Sequence, residues 1–210
     1  MSALAFIALV SLSSAVTLDS DVADLAGLIE YWEDINGTGT IEEVHQEAFR
    51  THFSPSPKAV PNFGFTSSTF WFRIPVHNRS PNSNWVINLE YPLLDSVMLY
   101  VERPGIAEIA SKSGGDRLPF DARYRPHRTI NFNLNLPPQA SATLWLRVQT
   151  ESSMQLPVKV YSEAFFGDMS SRENLGYGLF FGFMILLALF AGLVALWLGD
   201  RSYVLFVAYL

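Results

Sequence analysis

Two short stretches of this sequence share one pattern, Phe70-Trp71-Phe72-Arg73 and Leu144-Trp145-Leu146-Arg147. On a strand, residues two apart point the same way. Each stretch therefore puts Phe or Leu on one face and a Trp-Arg pair on the other. An indole face can stack on a sugar ring, and a guanidinium offers a planar fork to hydroxyls or carboxylates. The same pattern also fits tryptophans packed under a loop or the N-terminal segment, with the arginines as a rim. A second cluster runs Gly114-Gly115-Asp116-Arg117-Leu118-Pro119-Phe120, then Arg123, Arg125, His127 and Arg128. It is a basic spot on a chain of net charge −6. Such a loop could receive an anionic group, or it could be a structural loop in which Asp116 pairs with one of its arginines. The candidate ligand-binding set is Trp71, Arg73, Trp145, Arg147, Asp116, Arg117, His127 and Arg128.

Catalysis finds little support. Glu90, Asp95, Asp116 and Asp121 are carboxylates, but nothing marks two of them as a pair at glycosidase spacing. His45, His52, His77 and His127 lack the i, i+4 spacing of a helical metal site. No glycine-rich phosphate loop or nucleophile elbow occurs. With 0 cysteines, thiol catalysis, cysteine-ligated zinc and a disulfide scaffold are excluded. No metal and no cofactor are expected. Acids crowd the N-terminal part, from Asp19 to Glu47, which argues against a nucleic-acid-binding face. Asn36-Gly37-Thr38 and Asn78-Arg79-Ser80 fit the short glycosylation sequon.

The elements that must position these residues are mainly strands. Phe70, Phe72, Ile74 and Val76 alternate with Trp71, Arg73, Pro75 and His77. Similar period-2 runs recur near Trp85–Glu90, Val97–Val101, Ile130–Leu136, Leu144–Gln149 and Val158–Val160. Pro, Gly, Asn and Ser separate them, which indicates an antiparallel β-sandwich or barrel. Ahead of the strands, Thr40-Ile41-Glu42-Glu43 reads as a capping box opening a short helix from about Ile41 to Arg50. A proline-rich connector from His52 to Phe65 follows, which cannot be regular over much of its length.

Both ends of the chain look different. Leu175 to Gly199 is apolar and free of charged side chains. About 20 helical residues cross a hydrocarbon core of roughly 30 Å, so the segment 175–198 is read as a transmembrane helix. Ser162 is a candidate cap for a short helix between the last strand and this run. After Arg201 the chain turns apolar again, so 202–210 reads as the start of a second membrane helix, and the chain as part of a larger multi-span protein. At the N-terminus, Ala3–Leu12 resembles the apolar core of a signal peptide, and Ser13-Ser14-Ala15 a cleavage site. Residues 1–15 are read as signal peptide and 16–170 as an exported domain.

Taken together, these residues resemble bacterial seven-transmembrane receptors with diverse intracellular signalling modules. The likeness is to the type 2 extracellular sensor module and the start of the membrane region. It rests on Tyr31-Trp32-Glu33-Asp34, Ile41-Glu42-Glu43-Val44, Thr69–Arg73 and Trp85–Asp95. It rests equally on Gly115–Phe120, Pro126-His127-Arg128 and Ser153–Pro157. The resemblance implies a mainly β, jelly-roll-like periplasmic domain and a bacterial inner-membrane location, with a kinase or cyclase output domain elsewhere in the full protein. The expected function is ligand sensing without catalysis. The ligand would be a saccharide or other small molecule, with the lipid bilayer and a homodimer mate or partner receptor as further partners. The rival is a membrane-anchored carbohydrate-active enzyme or binding module using Glu90, Asp95 or Asp116.

Overall fold

The computed structural model of the chain describes residues 15–23, 25, 28–119, 125, 127–199 and 201–209. All of the signal-like stretch except Ala15 lies outside the described residues. The chain divides into two compact units, one ending at Glu163 and one beginning at Ala164.

The first unit is built from strands. In chain order they are β1 (Val16–Leu18), β2 (Val22–Ala23), β3 (Glu30–Asp34), β4 (Ser54–Pro55), β5 (Asn62–Phe65) and β6 (Thr69–Asn78). Then come β7 (Asn84–Leu89), β8 (Ser96–Glu102), β9 (Ala110–Gly114), β10 (Ile130–Asn135), β11 (Ser141–Gln149), β12 (Ser153–Gln155) and β13 (Val158–Ser162). Among the described residues they form a seven-stranded sheet, a four-stranded sheet and a two-stranded ribbon. The large sheet runs β4-β3-β6-β11-β8-β9, with β1 added parallel beside the end of β6. The second runs β10-β7-β13-β2, and β5 pairs with β12. The pairs other than β1–β6 are antiparallel. The expected mainly β fold is what forms.

The period-2 runs explain the sandwich. Phe70, Phe72, Ile74 and Val76 of β6 meet Leu144, Leu146 and Val148 of β11 and Val97 and Leu99 of β8 in one buried core. Ile87 and Leu89, Phe132 and Leu134, and Val158 and Val160 join that core from the smaller sheet. Burying each such side chain contributes about 1.5–3 kcal/mol. Pro75 sits mid-strand without disrupting the sheet. It falls where one side of β6 passes from β3, which pairs as far as Arg73, to β1, which pairs from Val76. No ladder partner stands there to need its missing N–H.

The single helix expected over Ile41–Arg50 is two pieces. Helix α1 covers Ile41–Val44, and a 3-10 helix covers Glu47–His52. Gln46 between them is extended, at φ −65° and ψ 141°. Its amide and the His45 ring both reach back to carbonyls of α1, at 2.8 Å and 2.7 Å. Thr40 makes no side-chain cap, so the expected capping box does not form. Together these pieces and β4 make a strap between β3 and β5.

Helix α2 spans Glu163–Leu198, all but its first residue in the second unit, and helix α3 spans Arg201–Tyr209. At 36 residues α2 is about 54 Å long, well over the roughly 30 Å of a bilayer core. Among the described residues it is the one helix long and apolar enough to cross a membrane. Gly199, at φ +65°, ends it in the left-handed conformation that favours glycine. β13 ends at Ser162 and α2 begins at Glu163, so no separate linker or short helix intervenes. The Ser162 hydroxyl donates to Asp21 Oδ1 at 2.6 Å.

Candidate functional site

β6 and β11 lie side by side, and their register pairs Trp71 with Arg147 and Arg73 with Trp145. The four side chains thus form one patch on the face of the large sheet that points away from the core. β3 extends the patch by setting Glu30 opposite Arg73 and Trp32 opposite Trp71. β8 adds Tyr100 opposite Trp145. Arg73 donates to Glu30 Oε2 at 2.5 Å, and its guanidinium carbon stands 5.9 Å from the Trp145 ring centre. Trp145 Nε1 donates to Glu102 Oε2 at 2.8 Å. Trp71 stacks on Tyr100 with ring centres 5.8 Å apart.

This patch is roofed. Trp71 and Trp145 are each 0% exposed and Arg73 is 6% exposed. Ile41 and Val44 of α1 close a second apolar cluster over the indoles, and Trp32, Phe49, Phe53, Tyr100 and Ile109 pack around it. Phe53 meets Trp145 edge to face at 5.6 Å, and Trp32 meets Phe49 likewise at 4.8 Å. The physical reason is simple: two indoles on adjacent central strands present more apolar surface than solvent tolerates, and the strap covers it. Of the two readings the pattern allowed, tryptophans packed under a preceding segment is the arrangement seen, and the Trp-Arg face is covered rather than open. Two buried polar atoms in this region, Trp71 Nε1 and Thr69 Oγ1, have no hydrogen-bond partner. Each such burial costs about 1–3 kcal/mol.

The strap starts at a tight turn. Asp34 accepts from the backbone N–H groups of Thr38 and Gly39, at 3.3 Å and 2.7 Å. Gly37, at φ +66°, turns its carbonyl toward Arg147 Nη2, which donates at 3.1 Å. Arg147 so links the sheet to the strap's first residues. The strap is anchored through α1, where Ile41 and Val44 are buried, while the 3-10 helix contains no buried residue.

The remaining expected site residues lie elsewhere. Arg117 bridges Asp95 at 3.3 Å and Glu151 at 2.7 Å, and the Glu151 hydrogen bond followed by the Asp95 charge raises its pKa. Asp116 is exposed, and its backbone N–H donates to Leu94 O at 2.9 Å. Gly115, at φ +132°, packs so closely that a Cβ would sit 2.2 Å from Asp95 O. This stretch is a latch between loops. His127 lies 2.7 Å from Thr129 Oγ1, which donates to Asn88 on the outer side of β7. His127 therefore lies beside the smaller sheet, away from the tryptophans, and Arg128 follows it in the loop that leads into β10. Asp121 and Arg123 lie outside the described residues.

Two of the candidate catalytic carboxylates, Glu90 and Asp95, are engaged in structure. Glu90 accepts from Tyr161 and pairs with Lys159, both at 3.0 Å, and Asp95 also accepts from Glu151 N–H at 2.9 Å. Among the described residues no group of three or more His, Asp or Glu side chains could hold a metal. Asn78 of the second sequon is 0% exposed and donates to Asn82 O and Leu136 O. The residues that sequence reasoning missed on the patch are Glu30, Trp32, Phe49, Phe53, Tyr100 and Glu102. For Glu30 and Trp32 the only local signal was the acidic-aromatic run Glu30-Tyr31-Trp32-Glu33-Asp34, which shows no clear alternation.

Among curated proteins nothing matches this chain. A solved structure described as showing the structural basis for the promiscuous specificity of carbohydrate-binding modules from the β-sandwich superfamily is similar at 14% identity and a TM-score of 0.25. That match covers 50% of this chain and 50% of that one, too slight a likeness to carry an argument. The family model for 7TMR-DISM extracellular 2 matches residues 26–162, from just before β3 to the last residue of β13. The sandwich, the apolar helix that follows it and this match agree: the chain belongs to the 7TMR-DISM extracellular 2 family.

Proposed function

We propose that this chain is the ligand-sensing outer part of a bacterial membrane receptor. The observation that carries this reading is the junction itself. The family match ends at residue 162, and the membrane-crossing candidate α2 begins at Glu163. The sandwich would lie in the periplasm, α2 would cross the inner membrane, and residues 1–15 would direct export. Reporter fusions at Ser162 and Arg201 should report opposite sides of the membrane; both on one side would overturn this topology.

The ligand is a saccharide or another small neutral molecule, and its site is the Trp71-Arg73-Trp145-Arg147 face. Aromatic faces and planar donors suit a hydroxyl-rich ring. Since the strap covers that face, ligand and strap compete for it. The domain then has two states, strap on and strap off, and the ligand shifts the balance through its affinity for the uncovered one. α2, joined directly to β13, passes the change inward. A second copy or a partner receptor would read it.

No reaction is assigned to this chain. Of the three carboxylates a hydrolase could use, Glu90 pairs with Lys159 beside β7 and Asp95 is tied into the loop latch, which leaves Asp116 exposed with no second carboxylate paired to it among the described residues.

The test is a panel of neutral mono- and oligosaccharides titrated into the full chain in nanodiscs, followed by tryptophan emission. At least one should bind saturably and shift the emission. Phe53→Ala, which loosens the strap over Trp145, should tighten that binding. A panel with no binder would end the saccharide reading. Binding that Phe53→Ala leaves unchanged would end the competition with the strap.

A further inference from the structure

A different part of the molecule holds an open cleft that the reading above does not use. It has a volume of about 510 Å³ and lies at one end of the sandwich, where the tip of the β8–β9 hairpin faces the β10–β11 connection. Arg103, Pro104, Ile106, Asn135, Pro137 and Ser141 line it. The sequence Arg103-Pro104-Gly105-Ile106 builds its wall. Ile106 N–H donates to Arg103 O at 3.1 Å, and Gly105 is at φ +78°. Pro second and a positive-φ Gly third are what a type II turn requires. That turn fixes where Arg103 starts.

Arg103 then reaches from the large sheet to the free edge of the small one, donating from Nη2 to Asn135 O at 2.8 Å. Two residues back along β10, Lys112 from β9 donates to Asn133 O at 2.7 Å and to the Asn133 side chain. Both cations thus cap carbonyls of an edge strand, a structural role in its own right. That role leaves the guanidinium largely unused. Of its five N–H groups, the one interaction above takes one. Its Nε is buried and has no hydrogen-bond partner. Among the described residues no carboxylate lies within ion-pair distance of Arg103. Burial and then the Arg103 charge lower the Lys112 pKa, so the two cations feel each other. Opposite them, Ser141 Oγ lies 2.9 Å from His77 Nδ1 and adds a hydroxyl to the rim. Pro104, Ile106 and Pro137 supply an apolar wall, with Ile106 51% exposed.

We propose that this cleft binds a small anionic ligand, a carboxylate or phosphate, held by the Nη–H groups of Arg103 that the Asn135 carbonyl does not use. An anion there compensates the guanidinium charge, through the planar two-bond geometry that arginine offers. The apolar wall fits a short hydrocarbon body attached to the charged group.

The experiment uses the full chain, labelled with nitrogen-15, in nanodiscs of uncharged lipid. The Arg103 Nε–H resonance, assigned by its loss in Arg103→Lys, is followed while inorganic phosphate or butyrate is added. At least one should shift it saturably. Phosphate alone would identify the ligand group as a compact oxyanion; butyrate alone, as a carboxylate with an apolar body. Arg103→Lys keeps the charge and loses the fork, so binding read from neighbouring amides should weaken about tenfold or more while the amide spectrum stays folded. Ile106→Ser should weaken butyrate and spare phosphate. No saturable shift with either anion would overturn the proposal, as would equal binding by Arg103→Lys. Both outcomes are independent of whether any saccharide binds the tryptophan face.

Discussion

The roofed tryptophan face and the open Arg103 cleft sit on one sandwich and handle their cations in opposite ways. On the roofed face Arg73 pairs with Glu30, and Arg147 holds the Gly37 carbonyl. The indoles beside them are sealed in a second apolar cluster. By contrast, Arg103 touches one carbonyl, has no carboxylate partner among the described residues, and lines an open cleft. The contrast separates residues that look ready for a ligand from residues that have room for one. On the tryptophan face a ligand must first displace protein. In the cleft it must only bring charge.

The sharpest way to break this contrast is to truncate an indole. If Trp71 and Trp145 are core residues, Trp71→Ala or Trp145→Ala should each cost about 3–5 kcal/mol. Urea unfolding of the full chain in micelles measures it. A loss near zero for both would mean that the strap does not seal them.

The buried ion pair is the next largest effect. Glu30→Gln removes the carboxylate charge paired with the Arg73 guanidinium, which is 7% exposed at its side chain. Complete burial of such a pair would make its rupture cost about 3–5 kcal/mol. Glu30 is 32% exposed, so solvent screening reduces the expected loss to about 1–2 kcal/mol. Replacing both partners by apolar residues of similar size should recover much of that. Equal stability of Glu30→Gln and the parent would remove the pair from the account.

In the cleft the expected change is electrostatic. Arg103→Gln should raise the Lys112 pKa back toward the usual lysine value of 10.5, since one of its two depressing influences is gone. A lysine whose folded pKa is lowered binds fewer protons than the unfolded chain just below that value. Its penalty on stability therefore falls as pH rises through the folded pKa toward 10.5. Arg103→Gln should flatten that alkaline rise. Titration of the Lys112 side chain by NMR measures the shift, and an unchanged pKa would separate the two cations.

The smallest effect belongs to the exposed latch. Arg117→Ala removes two surface contacts from a side chain 63% exposed, and should move the melting midpoint least of the variants named here. A drop as large as that of Trp71→Ala would mark the latch as part of the core.

How much of this was legible follows from how many faces of each strand are buried. β6 and β11 announce themselves because one face meets the main core and the other carries Trp and Arg. β3 does not, because Tyr31 packs on the main core and Trp32 on the second cluster, which erases the alternation. β9, reading Ala-Ser-Lys-Ser-Gly, has too little apolar character to signal a strand. Alternation placed Trp71 and Trp145 on the side away from the core, and that is where they are. It could not reveal the roof, which comes from a broken helix far away in sequence. The Arg103 cleft left no local trace either, since Arg103 and Asn135 stand 32 residues apart and meet only when two sheets close.

Hydrogen exchange over residues 41–53 of the full chain in nanodiscs, with and without the tightest-binding saccharide, tests the central claim most directly. The account predicts that ligand speeds exchange in this strap while slowing it in β6 and β11 around Trp71 and Trp145. Slower or unchanged exchange in the strap on binding would contradict it.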